Sequence, residues 1–124
     1  MELLINLKKN GIKIGVATYK REDYAIDILK YFGIAEYCNV IHGADNDNKL
    51  TKADIVEMCI NEMNEEKMGV LLIGDTEHDA KGAQNSGIGF IGVTWGFGYK
   101  SLSHKIGFPC ISIVENAEEI LRYL

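Results

Sequence analysis

Segments with a helical repeat of apolar residues take turns with short apolar, strand-like runs from one end of the chain to the other. Parallel strands must be joined by long crossovers, usually helices, so this alternation is the signature of βαβ units and of a sheet covered on both faces. Glu2 to Lys9 carries Leu3, Leu4 and Leu7 on one side and stops at Asn10-Gly11, a pair that tolerates the left-handed backbone of a helix end. A first strand is expected at Ile12 to Thr18. Residues 21 to 32 place Ala25, Ile28, Leu29 and Phe32 on one helix face, closed by Gly33. Asn39 to His42 reads as a second strand, followed by a polar loop from Gly43 to Leu50. Thr51 and Asp54 then form a T-x-x-D capping box that starts a helix with Ile55, Val56, Cys59, Ile60 and Met63 inward. Val70-Leu71-Leu72-Ile73 is a continuous apolar run, which suits a strand buried on both faces. A short helix from about Asp79 to Asn85 ends at Gly87, and strands follow at Phe90 to Thr94 and Cys110 to Val114. Ala117, Ile120, Leu121 and Leu124 mark a terminal helix. The expected architecture is α/β, a doubly wound, Rossmann-like parallel sheet with helices on both faces, in one domain over residues 1–124.

Composition agrees with that expectation. A chain of 124 residues with 47% hydrophobic and 25% charged content can bury a core without a metal or disulfide staple. Thirteen Lys and Arg against 18 Asp and Glu give a net charge of -5, which argues against nucleic acid or an anionic membrane as the main partner. An acidic protein can still hold a local anion site. Cys38, Cys59 and Cys110 are odd in number and outside any C-x-x-C spacing, so they read as reduced, small apolar residues. With no run of 18 apolar residues and no leader-like start, a cytoplasmic location is expected.

In an open parallel sheet, ligands bind outside the carboxyl ends of the strands. After the apolar run at 70–73 comes Gly74-Asp75-Thr76-Glu77-His78-Asp79, a G-D-x-x-x-D spacing that presents two carboxylates from a strand tip and the adjoining helix start. Mg²⁺ is typically held by one or two carboxylates and takes the rest of its shell from water and phosphate oxygens. The same two residues would also serve as a turn aspartate and a helix N-cap. After the first strand, Thr18-Tyr19-Lys20 offers a hydroxyl and backbone N–H groups that could grip a phosphoryl oxygen, although Thr at a strand end is commonly structural. Lys52 sits in the first turn of its helix, where a cation opposes the macrodipole. That placement suits an exposed lysine, and equally an amine that neutralises a bound phosphate.

Three further features carry less. Gly87-Ile88-Gly89-Phe90-Ile91-Gly92 is a literal G-x-G-x-x-G, but it leads into a strand instead of following one, so it is rejected as a dinucleotide fingerprint. His42, His78 and His104 have no partner at metal-ligand spacing, and His78 is expected to point to solvent or a cleft rim. Trp95-Gly96-Phe97-Gly98-Tyr99 reads as an aromatic loop, suited to packing or to substrate contact.

Thr18 after the first strand, Lys52 opening a helix and Gly74-Asp75-x-x-x-Asp79, in that order, resemble motifs II, III and IV of the haloacid dehalogenase-like (HAD) phosphatases. The stretches Gly15-Val-Ala-Thr-Tyr-Lys20, Thr51-Lys52-Ala-Asp, Gly74-Asp-Thr-Glu-His-Asp-Ala80 and Gly92-Val-Thr-Trp-Gly-Phe-Gly98 look most like the phosphoglycolate phosphatase branch. The resemblance implies that Thr18, with Tyr19 and Lys20, binds the phosphoryl group of a phosphorylated small molecule. It implies that Lys52 stabilises the charge of that group, and that Asp75 and Asp79 serve Mg²⁺ as cofactor.

Family members also begin with a strand ending in D-x-D-x-T/V, whose first Asp attacks phosphorus and whose second acts as general acid and base. No such motif precedes Thr18, and Asp45-Asn46-Asp47 lies in a loop without the following Thr or Val. The resemblance therefore implies a C-terminal part of a HAD core, with residues 1–10 as the last cap or linker helix and with negligible turnover. The alternative is a non-catalytic remnant that binds phosphate, Mg²⁺ or a partner protein. In the family the nucleophile strand is central, between the strands that here end in Thr18 and Asp75. Without it those two strands are expected to pair directly, or a homodimer or swapped assembly is expected to complete the sheet.

Overall fold

The computed structural model describes residues 2–45, 49–93 and 110–123, which fold as two compact units, Met1–Glu65 and Glu66–Leu124. Asn46, Asp47, Thr94, the Trp95–Tyr99 loop, His104 and Leu124 lie outside the described residues.

In the first unit the order is α1 (Glu2–Lys9), β1 (Gly15–Arg21), α2 (Glu22–Tyr31), a 3-10 turn at Ala35–Tyr37, β2 (Val40–Ala44) and α3 (Lys52–Met63). β1 and β2 pair in parallel with Gly15 opposite Val40. Leu7, Ala25, Ala44, Ile55, Val56, Cys59 and Ile60 are buried. β1 starts three residues later than the sequence suggests, because Ile14 meets Asn39 outside the regular ladder: its N–H donates to the Asn39 side chain at 2.8 Å and its carbonyl accepts the Asn39 N–H at 2.7 Å. β1 also runs three residues further, to Arg21, so Thr18 lies inside the strand and not after it. α2 departs from its expected inward face. Ala25 is buried, whereas Ile28 and Phe32 are 42% and 63% exposed. Among the described residues the sheet in this unit has two strands, a floor too narrow to cover the whole apolar stripe of the helix.

The second unit contains a 3-10 turn at Lys67–Gly69, β3 (Leu71–Gly74), α4 (Glu77–Ser86), β4 (Gly89–Val93), β5 (Ser112–Val114) and a 3-10 helix at Ala117–Tyr123. β4 lies between β3 and β5, and both pairings are parallel. The expectation that residues 70–73 form a strand buried on both faces is corrected here. No residue of β3 is fully buried and Ile73 is 38% exposed, whereas Phe90 and Ile91 of β4 are 1% and 0% exposed. β3 has a described partner on one flank only, so the fully covered position passes to β4. Ala80, Ala83 and Phe90 form the core, with Leu72, Ile88 and Cys110 packed against them. The terminal segment is a 3-10 helix, whose three-residue turn buries Ile120 and leaves Leu121 36% exposed. The G-x-G-x-x-G glycines do lead into a strand: Gly87 closes α4 and Gly89 opens β4.

The chain is thus α/β, with parallel pairing between the described strands, as its sequence suggests. No helix among the described residues is long and apolar enough to cross a membrane.

Candidate active site

The regular β1–β2 ladder stops at Ala17 opposite His42 and resumes at Arg21 opposite Ala44. Thr18, Tyr19 and Lys20 therefore stand against the single residue Gly43, a bulge that lifts them out of the ladder. A Cβ on Gly43 would come within 2.4 Å of the Lys20 carbonyl oxygen, so the close approach here requires glycine. The Lys20 N–H donates to Thr18 Oγ1 at 3.1 Å. A hydroxyl that accepts in this way retains its own proton to donate.

Lys52 reaches this bulge from α3. Thr51 is the N-cap, and the capping box expected from the sequence is complete, with Thr51 Oγ1 accepting the Asp54 N–H at 3.1 Å and Asp54 Oδ2 accepting the Thr51 N–H at 2.9 Å. Lys52 is 8% exposed, and its ammonium donates to the Ala17 carbonyl at 2.5 Å. The Lys52 N–H donates to the Tyr19 hydroxyl at 2.9 Å. In this unit, then, Thr18, Tyr19, Lys20 and Lys52 are brought to one place, the end of the regular β1 ladder.

In the second unit Asp75 follows the tip of β3 and Asp79 lies in the first turn of α4. α4 begins at Glu77, two residues before the helix start expected from the sequence; its N-cap is Thr76, and Asp79 occupies the third helical position of a second capping box. Asp79 Oδ2 accepts from the Asp75 N–H at 3.1 Å, the Thr76 N–H at 3.3 Å and the Thr76 hydroxyl at 3.1 Å. This folds the carboxylate back under the strand tip. A Cβ on Gly74 would lie 2.5 Å from that carboxylate, so glycine leaves the space the Asp79 side chain fills. Two aspartates adjoining one strand tip are a hard, all-oxygen donor set that fits Mg²⁺, which needs no more than one or two protein carboxylates. No group of three or more His, Cys, Asp or Glu residues gathers as a metal cluster among the described residues.

A third arrangement has no local signature in the sequence. His42 Nδ1 is 2.8 Å from Glu22 Oε1, and Nε2 bonds Glu62 Oε2. The two carboxylates take opposite ring nitrogens and do not converge on a shared point, so the trio is a clasp and not a metal site. Nearby, buried Cys59 donates to the Val16 carbonyl at 3.3 Å, and burial, with the Glu62 charge, pushes its thiol pKa up to about 11. Cys38, Cys59 and Cys110 are all free thiols. His78 is exposed in the first turn of α4.

The model of the haloacid dehalogenase-like hydrolase family matches residues 1–93. The chain belongs to that family. It is 30% identical to the tyrosine-protein kinase PtkA of Mycobacterium tuberculosis, over 95% of this chain and 41% of that protein. It is 31% identical to the phosphoglycolate phosphatase of Yersinia pseudotuberculosis, over 77% of this chain and 42% of that protein. The crystal structure of a predicted phosphatase from Clostridium acetobutylicum superimposes with a TM-score of 0.87 at 33% identity, covering 98% of this chain and 56% of the other. The chain thus spans about two fifths of the length of these curated relatives and just over half of the similar structure.

Proposed function

We propose that this chain supplies the phosphate-binding and Mg²⁺-binding parts of a HAD-like phosphomonoester hydrolase of the phosphoglycolate phosphatase type, acting on a phosphorylated small molecule. The observation that carries the reading is the Lys52 ammonium, buried yet held 2.5 Å from the Ala17 carbonyl, next to Thr18. A phosphoryl group is recognised by a fixed cation together with N–H and O–H donors. In this reading Thr18 donates its hydroxyl proton to a phosphoryl oxygen, while Tyr19 and Lys20 border the group. Lys52 brings a fixed positive charge that neutralises charge on the phosphoryl oxygens. In the second unit Asp75 and Asp79 would hold Mg²⁺, which supplies Lewis-acid chemistry to phosphomonoester hydrolysis when bound. One relative is named a kinase and another a phosphatase, and the phosphoryl group is common to both names.

These 124 residues hold no D-x-D-x-T/V. A fixed cation and a metal speed only a reaction that has an attacking group, so the chain by itself has negligible turnover. The same observation favours a second reading, a remnant that binds phosphate, Mg²⁺ or a partner protein without turning over. The one-sided pairing of β1 and β3 supports the further proposal of a homodimer or swapped assembly that completes the sheets.

The test is calorimetry of inorganic phosphate in Mg²⁺ buffer together with a phosphomonoester hydrolysis assay. Phosphate binding that is lost in Lys52→Ala and weakened in Asp75→Asn, with no turnover, is the expected result. Mg²⁺-dependent hydrolysis abolished by Asp75→Asn would overturn the negligible-turnover proposal, and the absence of phosphate binding would overturn the site.

A further inference from the structure

Lys52 stands where a lysine is electrostatically disfavoured. It is the first residue of α3, at the positive end of the helix macrodipole, and it is 8% exposed. A charge so far removed from water must be paired, and its backbone N–H is one of the four that an α-helix leaves without an intrahelical acceptor. Both needs are met from β1. The ammonium donates to Ala17, and the backbone N–H donates at 2.9 Å to the phenol of Tyr19, a residue 33 positions away. The Tyr19 ring also lies beneath the ammonium, 5.9 Å from its centroid, within cation–π range. Tyr19 itself is 50% exposed, so burial of its ring is not its main contribution.

We infer that Tyr19 is a positioning residue for Lys52: its hydroxyl pins the first turn of α3 to the β1 bulge, and so sets where the Lys52 ammonium meets a phosphoryl group. The inference rests on the phosphate-binding reading above and gives the Tyr19 side chain a task separate from any contact with phosphate. A phenylalanine would keep the ring and remove the acceptor, which makes Tyr19→Phe the discriminating variant.

The experiment is NMR of the 124-residue protein and of Tyr19→Phe, followed by a phosphate titration of each. Exchange of the Lys52 backbone amide is expected to quicken about tenfold in the variant. The Lys52 ammonium signal should weaken, while the Asp54 amide, held by Thr51, stays as slow as before. Unchanged protection of the Ile55 and Ile60 amides reports that the unit remains folded. Phosphate affinity should drop about fivefold, as the loss of one hydrogen bond implies. If the Lys52 signals and the phosphate affinity match the parent protein, Tyr19 does not position Lys52 and the inference falls. If Lys52 responds but neither protein binds phosphate, the positioning contact stands and the phosphatase reading is the one overturned.

Discussion

A neutral imidazole has one N–H and one lone pair, so it can satisfy one carboxylate but not two. His42 faces Glu22 through Nδ1 and Glu62 through Nε2, and only its protonated form donates to both. Partial burial pulls the His42 pKa down, but the bonds to Glu62 and then Glu22 outweigh it and hold the value above the usual 6.5. A group whose folded pKa is raised contributes stability that is complete below the unfolded value and is lost as pH rises through the folded one. Resistance to urea should therefore be complete below the unfolded value of about 6.5 and decline as pH rises above it. The decline is modest, below about 1 kcal/mol, because Glu22 and Glu62 are 44% and 58% exposed. Urea melts of His42→Gln over the same rise in pH should show the slope removed, and a slope equal to that of the parent protein would show that the clasp does not titrate as argued. None of this is legible in the sequence. Glu22 and Glu62 each lie 20 positions from His42, on α2 and α3 against β2, and no local period links them. The Tyr19–Lys52 bond is hidden for the same reason, while Thr18, Lys52, Asp75 and Asp79 could be singled out because each adjoins a recognisable strand end or helix start.

Among the elements, those specified by adjacent residues were the legible ones. Thr51 and Asp54 announce the start of α3, and the helix begins there, with Ile55, Val56, Cys59 and Ile60 buried as their spacing requires. The second T-x-x-D, Thr76 to Asp79, is equally local, yet the pairing of Asp75 with Asp79 as a carboxylate motif obscured its capping role and set the start of α4 too late. Where tertiary surroundings decide, the pattern failed. The stripe on α2 predicts a buried Ile28 and Phe32, and the apolar run of β3 predicts cover on both faces. Both expectations assume more sheet than the described strands provide. Thr51→Ala tests the local level. It removes the acceptor for the Asp54 N–H and should cost about 1 kcal/mol of stability, within the usual range for an N-cap. Urea denaturation measures this, and an unchanged midpoint would mean that the Tyr19 and Asp54 contacts hold the helix start without the Thr51 hydroxyl.

At the scale of the whole molecule, the strand edges govern how the chain can associate. Parallel sheets in α/β proteins are covered strand by strand, and an unpaired edge presents N–H and C=O groups that invite another chain. Among the described residues β1 pairs only with β2, and β3 only with β4. A two-stranded sheet is marginal by itself in water, and here it depends on α2 and α3 packed against it. Ile73 at 38% exposure on β3 and Tyr31 and Phe32 at the C-terminal end of α2 add apolar surface in water that association could remove. The proposed homodimer or swapped assembly accordingly has a direct consequence. Light scattering at tens of micromolar protein should return twice the 13.8 kDa chain mass, and the urea midpoint should rise with protein concentration, because dimerisation adds stability by mass action. A swapped or symmetric dimer built on the strand edges would also slow amide exchange along the unpaired flanks of β1 and β3 as concentration increases. A scattering mass of one chain at every concentration, with a urea midpoint that does not move, would exclude the assembly and leave both edges open to water.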